Sequence, residues 1–389
     1  MITVVGIGAD GMAGLAPASR DELLGATVIF GGPRQLDLLG DEVTAERRNW
    51  PSPMLPALPH LFETREDVHV VASGDPMLHG IGATLIRVLG ADRVRVLPHV
   101  SSVTLACARL GWAVQDTEVI SLVNAAPHLA VRRGGRAVVL SRDSGTPAAL
   151  AALLTETGSG SSQFTVLEQL GGPAERITTM TADDWAVEAP PVDPLNVIAV
   201  QYLPDRGDGA FLFDDDFSHD GQITKQTIRL LTVAALDPRP GEVLWDVGSG
   251  SGSIAIEWCR ASGSSAVAFE RDDRRRERII TNAIRFGVKV DVRGAAPEDF
   301  DAVPAPHTIF IGGGLTQHGL FDACFAALEP GGRLVANAVT AESEAFVVQR
   351  YGALGGDLRR FQHYAGAPLG GFTGWRPALP ITQWTVVKQ

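Results

Sequence analysis

The sequence predicts an α/β protein of two domains: an N-terminal domain of two lobes, then a C-terminal domain built on a doubly wound parallel sheet. Three observations predict it. Short apolar runs alternate with helix-periodic stretches along the chain, as strands exchanging with helices do. The polar, turn-rich stretch Pro204-Asp205-Arg206-Gly207-Asp208-Gly209, followed by Asp214-Asp215-Asp216, interrupts that alternation, and beyond it the pattern restarts. Each half opens with a strand that runs into a glycine-rich turn. The expected division is a first domain over 1–203, with lobes about 1–111 and 112–203, a linker over 204–217 and a second domain over 218–389. A chain of 389 residues suits this division at ~150 residues per domain.

In the first lobe, strands are expected over 2–5, 27–30, 68–72 and 93–97 and helices over 19–24, 80–89 and 101–110, with Gly111 where a helix commonly ends. The second lobe reads as strands over 118–122, 136–140, 164–170 and 196–203 with a helix over 147–156. After the linker, Ile223, Thr227, Leu230, Leu231 and Ala234 share one face of a helix over 223–236. Then come strand 243–247, a glycine turn, helix 254–259, strand 266–270, a charged helix, strands 288–292 and 308–311, helix 320–328 and strand 333–337, the order of a doubly wound sheet. Segments around 358–364 and 382–387 read as closing, antiparallel strands.

The composition, 45% hydrophobic and 20% charged, is that of a folded chain. With 45 acidic against 33 basic side chains and a net charge of -12, a generic nucleic-acid or anionic-membrane binder is disfavoured, because such partners repel an acidic protein. Cys107, Cys259 and Cys324 lie far apart without a CxxC, so neither a disulfide framework nor a metal site is expected, and a reducing cytoplasm fits best. The chain starts directly with a strand, and no stretch of ~18 apolar residues occurs, so neither an export signal nor a membrane span is expected.

The second half carries Leu244-Trp245-Asp246-Val247-Gly248-Ser249-Gly250-Ser251-Gly252. A phosphate-cradling loop would follow the last glycine with Lys and then Ser or Thr, whereas Ser253-Ile254 follows here. A dinucleotide fingerprint would need its third glycine at 253, which is serine. What stands is an acid two residues before the first glycine, G-x-G-x-G, and a second acid, Glu270, ending the next strand. The arrangement resembles motif I and the ribose-binding acid of Rossmann-type S-adenosylmethionine (SAM) methyltransferases. Glu270 would accept two hydrogen bonds from a ribose diol, and loop N–H groups would meet the methionine carboxylate.

The first half contains G-x-G-x-x-G at Gly6, Gly8 and Gly11. A dinucleotide site would need a helix opening at once and an acid ~20 residues on. Instead Met12-Ala13-Gly14-Leu15-Ala16-Pro17 delays the helix and the next strand ends at Gly31-Gly32, so an NAD(P)-dependent oxidoreductase stays a rival reading only. The loops Ala72-Ser73-Gly74-Asp75-Pro76 and Pro98-His99-Val100-Ser101-Ser102 close successive strands and converge on a common edge.

Together, Val5-Gly6-Ile7-Gly8-Ala9-Asp10-Gly11, Ser73-Gly74-Asp75-Pro76 and Val100-Ser101-Ser102 resemble the tetrapyrrole methylase family, whose two lobes hold a folded SAM in their cleft. Ile29-Phe30-Gly31-Gly32-Pro33-Arg34 resembles its cobalamin-pathway branch, the precorrin carbon-5 methylases. The second half, with Asp220-Gly221-Gln222-Ile223-Thr224-Lys225, the glycine loop and Gly294-Ala295-Ala296-Pro297-Glu298, is similar to the carbon-15 methylase and decarboxylase partner. The resemblance implies SAM contacts at Gly8, Gly74, Asp75, Leu78, Ser101 and Ser102 in the first half. In the second it implies Thr224, Gly248, Ser249, Gly250, Ser251, Gly252, Glu270 and Ala296, and therefore two SAM sites per chain. It also implies a tetrapyrrole substrate, methylated at carbons 5 and 15 with loss of carbon dioxide from an acetate arm, and self-association of the second module. The chain departs from the family pattern at His99, usually Gly, at Ala9, often Pro, and at Ala295, often an acid.

Methyl transfer from a sulfonium to an enamine-like meso carbon needs little general-base help, so no catalytic residue is assigned. Alignment can supply ~7–11 kcal/mol at its best. Decarboxylation can use the conjugated ring as electron sink, which demands no metal or pyridoxal cofactor. The fourth strand of the second half ends Phe310-Ile311-Gly312-Gly313-Gly314, where methylases of exocyclic base amines resemble one another in carrying Asp/Asn-Pro-Pro-aromatic. Its absence disfavours nucleic-acid amine methylation, and Gly312, Gly313 and Gly314 would leave room for a macrocycle edge. Arg34, Arg132 and Arg133 are candidate clamps for substrate carboxylates. The run Arg271-Asp272-Asp273-Arg274-Arg275-Arg276-Glu277-Arg278 reads as a solvated helix face, His79 and His219 as structural residues, and Cys107 and Cys259 as core. A methyltransferase acting on nucleic acid or another metabolite remains the other rival reading.

Overall fold

The computed structural model describes residues 1–62, 68–203 and 211–389. The chain divides into two compact units, Met1–Pro204 and Asp205–Gln389.

The first unit opens with β1 (Ile2–Ile7), α1 (Pro17–Leu24), β2 (Val28–Gly31), α2 (Pro33–Asp37), β3 (Glu46–Asn49), α3 (Met54–Leu61), β4 (Val68–Ser73), α4 (Ile81–Leu89), β5 (Val94–Leu97) and α5 (Ser102–Leu110). Its strands form a parallel sheet in the order β3-β2-β4-β1-β5. Every residue of β1 is buried, Thr3 included, which explains its mostly apolar sequence. The second lobe follows with β6 (Glu118–Ser121), β7 (Arg136–Leu140), α6 (Thr146–Glu156), β8 (Gln163–Glu168), β9 (Arg176–Thr181), α7 (Ala182–Glu188) and β10 (Asn196–Gln201). They make a mixed sheet ordered β6-β7-β10-β8-β9, in which only β6 and β7 pair in parallel. Val103, Ala106 and Cys107 of α5 share one core cluster with Val138, Leu167, Val197 and Ala199, which joins the two lobes.

The second unit runs α8 (Gln226–Leu236), β11 (Val243–Val247), α9 (Ser253–Ser262), β12 (Ser265–Phe269), α10 (Asp273–Arg285), β13 (Lys289–Arg293), β14 (Thr308–Ile311), α11 (Leu320–Ala327), β15 (Arg333–Ala338), α12 (Ala341–Leu354), β16 (Asp357–Phe361), β17 (Tyr364–Leu369), β18 (Phe372–Pro377) and β19 (Ile381–Val387). Seven strands form one sheet in the order β13-β12-β11-β14-β15-β19-β16. Five are parallel, and β19 and β16 close the sheet antiparallel, as expected. Because β11 is followed by β12 on one side and flanked by β14 on the other, the strand order reverses at that point, and the crevice for a ligand opens over the carboxyl ends of β11 and β14.

The expected linker needs correction. Residues 204–210 lie outside the described residues, but 211–217 is packed into the second unit. Leu212 and Phe217 are buried there with Ile254, Trp258 and Phe286. The Leu212 N–H donates to Glu257 Oε1 at 2.8 Å, and the fully buried Arg229 reaches Asp214 Oδ1 at 3.0 Å and lies 4.8 Å over the Phe217 ring. Three consecutive acids masked this anchor, since its apolar residues are single and lack periodicity. Sequence periodicity also missed β3 and β9, polar edge strands, and α12, whose one buried residue is Val347. Among the described residues no helix is long and apolar enough to cross a membrane.

Arg229 also faces Glu257, itself 1% exposed, at 3.5 Å. Replacing it by alanine removes one of the two cations at Glu257, leaving Arg260 Nη1 at 3.1 Å, and empties a fully buried site, so Arg229→Ala should lower the unfolding free energy of the second unit by about 3 kcal/mol. Urea denaturation followed by tryptophan fluorescence measures this, and an unchanged midpoint would contradict the anchoring role.

Candidate functional site

In the second unit a cavity of about 1140 Å³ opens at the reversal point, more than the ~300–1,000 Å³ of an ordinary small-molecule pocket. Gly248, Ser249, Gly250 and Ser251 line it together with Thr224, Glu270, Ala296 and Gly312, Gly313 and Gly314. The sequence pattern singles out each of these. Gly252 does not line the cavity. A Cβ there would lie 2.8 Å from Ile279 of α10, so this glycine serves helix packing. Gly248, at φ 71°, faces Gly313 so closely that a Cβ would come within 2.8 Å of the Gly313 nitrogen. This backbone approach requires glycine at 248, while a Cβ on Gly313 would make only ordinary contact, 3.7 Å from the Gly248 Cα.

Glu270 is 6% exposed and joins three pieces of the site. Its Oε2 accepts from the Gly250 N–H at 2.8 Å and its Oε1 from the Asp272 N–H at 3.1 Å, at the start of α10. Each carboxylate oxygen keeps a further lone pair for an incoming diol. The loop amides behave otherwise than expected. Gly248 and Ser249 donate to the Phe269 carbonyl at 3.0 and 3.1 Å, Gly250 to Glu270, and Gly252 to the Ser249 carbonyl at 2.9 Å. These amides are spent inside the protein and cannot also receive an external carboxylate.

Asp246 lies beneath the loop, 1% exposed. Burial pushes its carboxyl up to about 6; bonds from the Ser249 hydroxyl at 2.7 Å and the Ala255 N–H at 3.1 Å oppose the rise, and the charge of Glu270 adds to it. Its Oδ1 has no hydrogen-bond partner among the described residues. The charged run after Glu270 is more than a solvated face. Arg275 Nε and Arg278 Nη1 each reach Asp220 Oδ2 at 3.0 Å, and the Gln222 N–H donates to Asp220 Oδ1 at 3.1 Å. These bonds hold the Asp220 carboxyl down at about 2 and fix the loop carrying Gln222, Thr224 and Lys225 over the cavity.

In the first unit the loops after β1, β4 and β5 meet. The Gly74 N–H donates to the Ile7 carbonyl at 2.8 Å, and a Cβ on Gly74 would stand 3.5 Å from the Val100 oxygen. His99 extends across Gly8, its Nε2 3.5 Å from Asp10 Oδ1. Ser101 caps α5, accepting from the Thr104 N–H at 3.1 Å, and Ser102 begins that helix. Asp75 accepts from the Met77 N–H at 2.9 Å and so braces its own turn. Leu78 packs against the cluster that joins the lobes. At the Gly6-Gly8-Gly11 turn the chain enters a short 3-10 turn over Gly11–Gly14 and α1 begins only at Pro17, so no helix N-terminus opens at the glycines to take a pyrophosphate.

Arg34 donates to Ser73 Oγ at 3.0 Å beside Gly74; burial lowers its guanidinium pKa while the negative charge of Asp193 opposes the shift. Arg132 is corrected as a clamp: it is bidentate to Glu118 at 2.8 and 2.7 Å and donates to the Leu129 and Val131 carbonyls, which commits its fork. Arg133 follows it, half-buried. His219 accepts from the Gly221 N–H at 2.9 Å and closes a turn, and His79 sits exposed at φ 51°. The three cysteines are buried and unpaired, with Cys324 pushed up to about 12 by burial. Sequence reading missed Asn337 and His363, which also line the cavity. No local pattern marks either, since β15 and the β16–β17 junction reach the crevice only through the sheet order.

Comparison with known proteins agrees along the full length. The tetrapyrrole (corrin/porphyrin) methylase family matches residues 1–186, and a precorrin methyltransferase domain matches residues 215–388. A protein of Mycobacterium tuberculosis (strain CDC 1551 / Oshkosh) named precorrin-6Y C(5,15)-methyltransferase (decarboxylating) is 66% identical over 391 residues, covering 100% of both chains. One of the same name from Sinorhizobium sp is 43% identical over 401 residues, covering 100% of this chain and 96% of its own. The crystal structure of the C-terminal domain of precorrin-6Y C5,15-methyltransferase from Rhodobacter capsulatus is 40% identical and covers 46% of this chain and 100% of its own, with a TM-score of 0.45.

Two outcomes follow from the geometry. Because the folded-state pKa of Asp246 is raised, to about 6 from 3.8, its protonated form is favoured by folding. That contribution is full below about pH 4 and is lost as the pH rises through 6, a change on the order of 3 kcal/mol. The stability of the native protein relative to Asp246→Asn should accordingly fall between pH 4 and pH 7.5 in denaturant titrations, and a flat difference would refute it. Gly248→Ala, which meets both positive φ and the Gly313 backbone, should destabilise the second unit by more than about 1 kcal/mol in the same titrations.

Proposed function

The chain belongs to the family of precorrin-6Y C(5,15)-methyltransferases (decarboxylating), SAM-dependent enzymes of cobalamin biosynthesis, and from that premise we propose that its two units carry separate SAM sites, the first serving carbon-5 and the second serving carbon-15 and decarboxylation. The observation that carries this reading is the cavity of the second unit, where Glu270 offers unspent acceptor capacity beside the glycine loop. The residues present fit the cofactor. A Cβ added to Gly250, at φ 62°, would meet nothing nearer than the Gln222 oxygen at 3.7 Å, which leaves a cradle against the loop. Bound there, SAM supplies an electrophilic methyl on a sulfonium.

The chain's own groups bind and orient. Glu270 would accept from the ribose hydroxyls. With the amides of Gly248, Ser249, Gly250 and Gly252 spent, the methionine carboxylate would fall to the Ser251 N–H and to Lys225 and Thr224 on the facing loop, which Asp220, Arg275 and Arg278 hold in place. Gly312, Gly313 and Gly314 would admit the edge of the macrocycle, and Arg271, exposed at the rim, would meet a substrate carboxylate. In the first unit Gly8, Gly74, Asp75, Leu78, Ser101 and Ser102 would form the cofactor site, supported by the convergence of the three loops, with Arg34 and Arg133 toward the substrate. The exposed apolar residues Leu369, Phe372 and Trp375 on the β17–β18 hairpin support self-association of the second unit. Unpaired cysteines suit a reducing cytoplasm.

Given precorrin-6Y and SAM, the full chain should yield a product that gains two methyl groups and loses carbon dioxide by mass, and calorimetry should count two SAM per chain. Glu270→Ala should abolish carbon-15 methylation and leave carbon-5 methylation largely intact. Equal loss of both would contradict separate sites.

A further inference from the structure

Resting on the reading of the second unit as the decarboxylating half, we infer that His363 is the acid that delivers the proton to the acetate arm when carbon dioxide leaves. The chemistry requires such a group. Breaking the bond between the carboxylate carbon and the arm's methylene sends an electron pair into the conjugated ring; the methylene carbon then takes one proton and becomes a methyl group. Carbon dioxide is lost, a proton is gained, and no oxidant or reductant enters.

The cavity divides along the sheet. On the β11–β12–β13 flank it is lined by the glycine loop, Glu270, Arg271, Arg275, Ala296 and Glu298. On the β14–β15–β19 flank it is lined by Gly312–Gly314, Leu320, Asn337, Val339, Leu379 and Ile381, mostly apolar, and by His363. Among the described residues His363 is the only titratable side chain on that second flank. The other charged groups facing the cavity are poor proton donors to a carbon there. Arginine stays protonated throughout, which removes Arg271 and Arg275. Glu270 accepts two backbone N–H bonds, Lys225 pairs with Asp214 at 3.4 Å, and Glu298 stands exposed on the opposite flank. Arg359, Arg360 and Arg376, on the strands that flank His363, do not line the cavity, and the first two pair with Asp357 and Glu344.

Position supports the role. His363 stands at the junction of β16 and β17, half-buried, where the Ala378 N–H donates to its carbonyl at 2.9 Å and the Gln362 side chain donates to the Ala378 carbonyl at 3.2 Å. These bonds fix the backbone at the foot of the β17–β18 hairpin. The imidazole makes no hydrogen bond with the described residues, so both ring nitrogens remain available. Imidazole is the side chain whose ordinary titration lies nearest neutrality, the range in which one group can give and regain a proton in each cycle.

The test uses the full chain with precorrin-6Y and SAM, following methyl gain and carbon dioxide release separately by mass. In His363→Ala, carbon dioxide release should slow about 100-fold and more than methyl transfer does, so that methylated product still bearing the acetate carboxylate accumulates. Added imidazole should restore release with a pH dependence of its own. His363→Gln, closer in shape, should show the same split if the alanine variant fails to fold. Carbon dioxide release at the native rate in a folded variant, or parallel loss of both reactions without imidazole rescue, overturns the inference. Absence of carbon dioxide release from the native chain sinks the functional reading itself, a result distinguishable from both.

Discussion

The approach of two backbones, Gly248 after β11 and Gly313 after β14, is the constraint on which the second unit depends. A side chain on Gly248 would fall within 2.8–3.1 Å of Gly313 backbone atoms, so the two loops can meet only because Gly248 carries none, whereas a Cβ on Gly313 would stand 3.7 Å from the Gly248 Cα. Their meeting sets the floor of the crevice at the point where strand order reverses. It also fixes where the remaining glycine-loop atoms stand: Gly248 and Ser249 turn their amides back onto the Phe269 carbonyl, and Gly250 turns its own to Glu270. Glycine at position 248 is thus a structural requirement before it is a functional one.

Charge is arranged around that floor in layers. Asp246, buried and pushed up to about 6, carries less charge than its type suggests, while Glu270 sits where backbone donors support it. Beyond them, Arg275 and Arg278 neutralise Asp220 and hold the covering loop. Charges of opposite sign thus stand on different walls of one cavity, acids at its floor and Arg271 at its rim. The net charge of -12 is unevenly placed, with Arg271 exposed at the rim of the cavity.

The first unit follows a different logic. Its Gly6-Gly8-Gly11 turn lacks the helix N-terminus that a pyrophosphate would use, and three separate turns after β1, β4 and β5 meet at one edge. The departures from the family pattern there are coupled in space: His99, in place of the usual glycine, lies across Gly8 toward Asp10. Arg132 shows the limit of reading function from residue type, since its guanidinium is spent on Glu118 and two carbonyls of its own lobe.

Local pattern made much of this protein legible. Periodicity marked the buried parallel strands, with β11 and β14 placed to the residue, because a strand covered on both faces must be apolar throughout. Spacing marked the glycine loop and Glu270, because a strand end, a tight turn and a following acid leave a signature in consecutive residues. Edge strands such as β3, the surface helix α12 and the anchor around Leu212 and Phe217 left little trace, because their few buried residues form no period. The sequence by itself thus determined the fold class, the two modules and the glycine-rich turns at the strand ends. Only the tertiary structure decided that four of the loop amides are already spent, that Arg132 is engaged, and that Asn337 and His363 share a cavity with Glu270. Those facts depend on which strands lie side by side, and that order arises from packing between segments far apart in the chain.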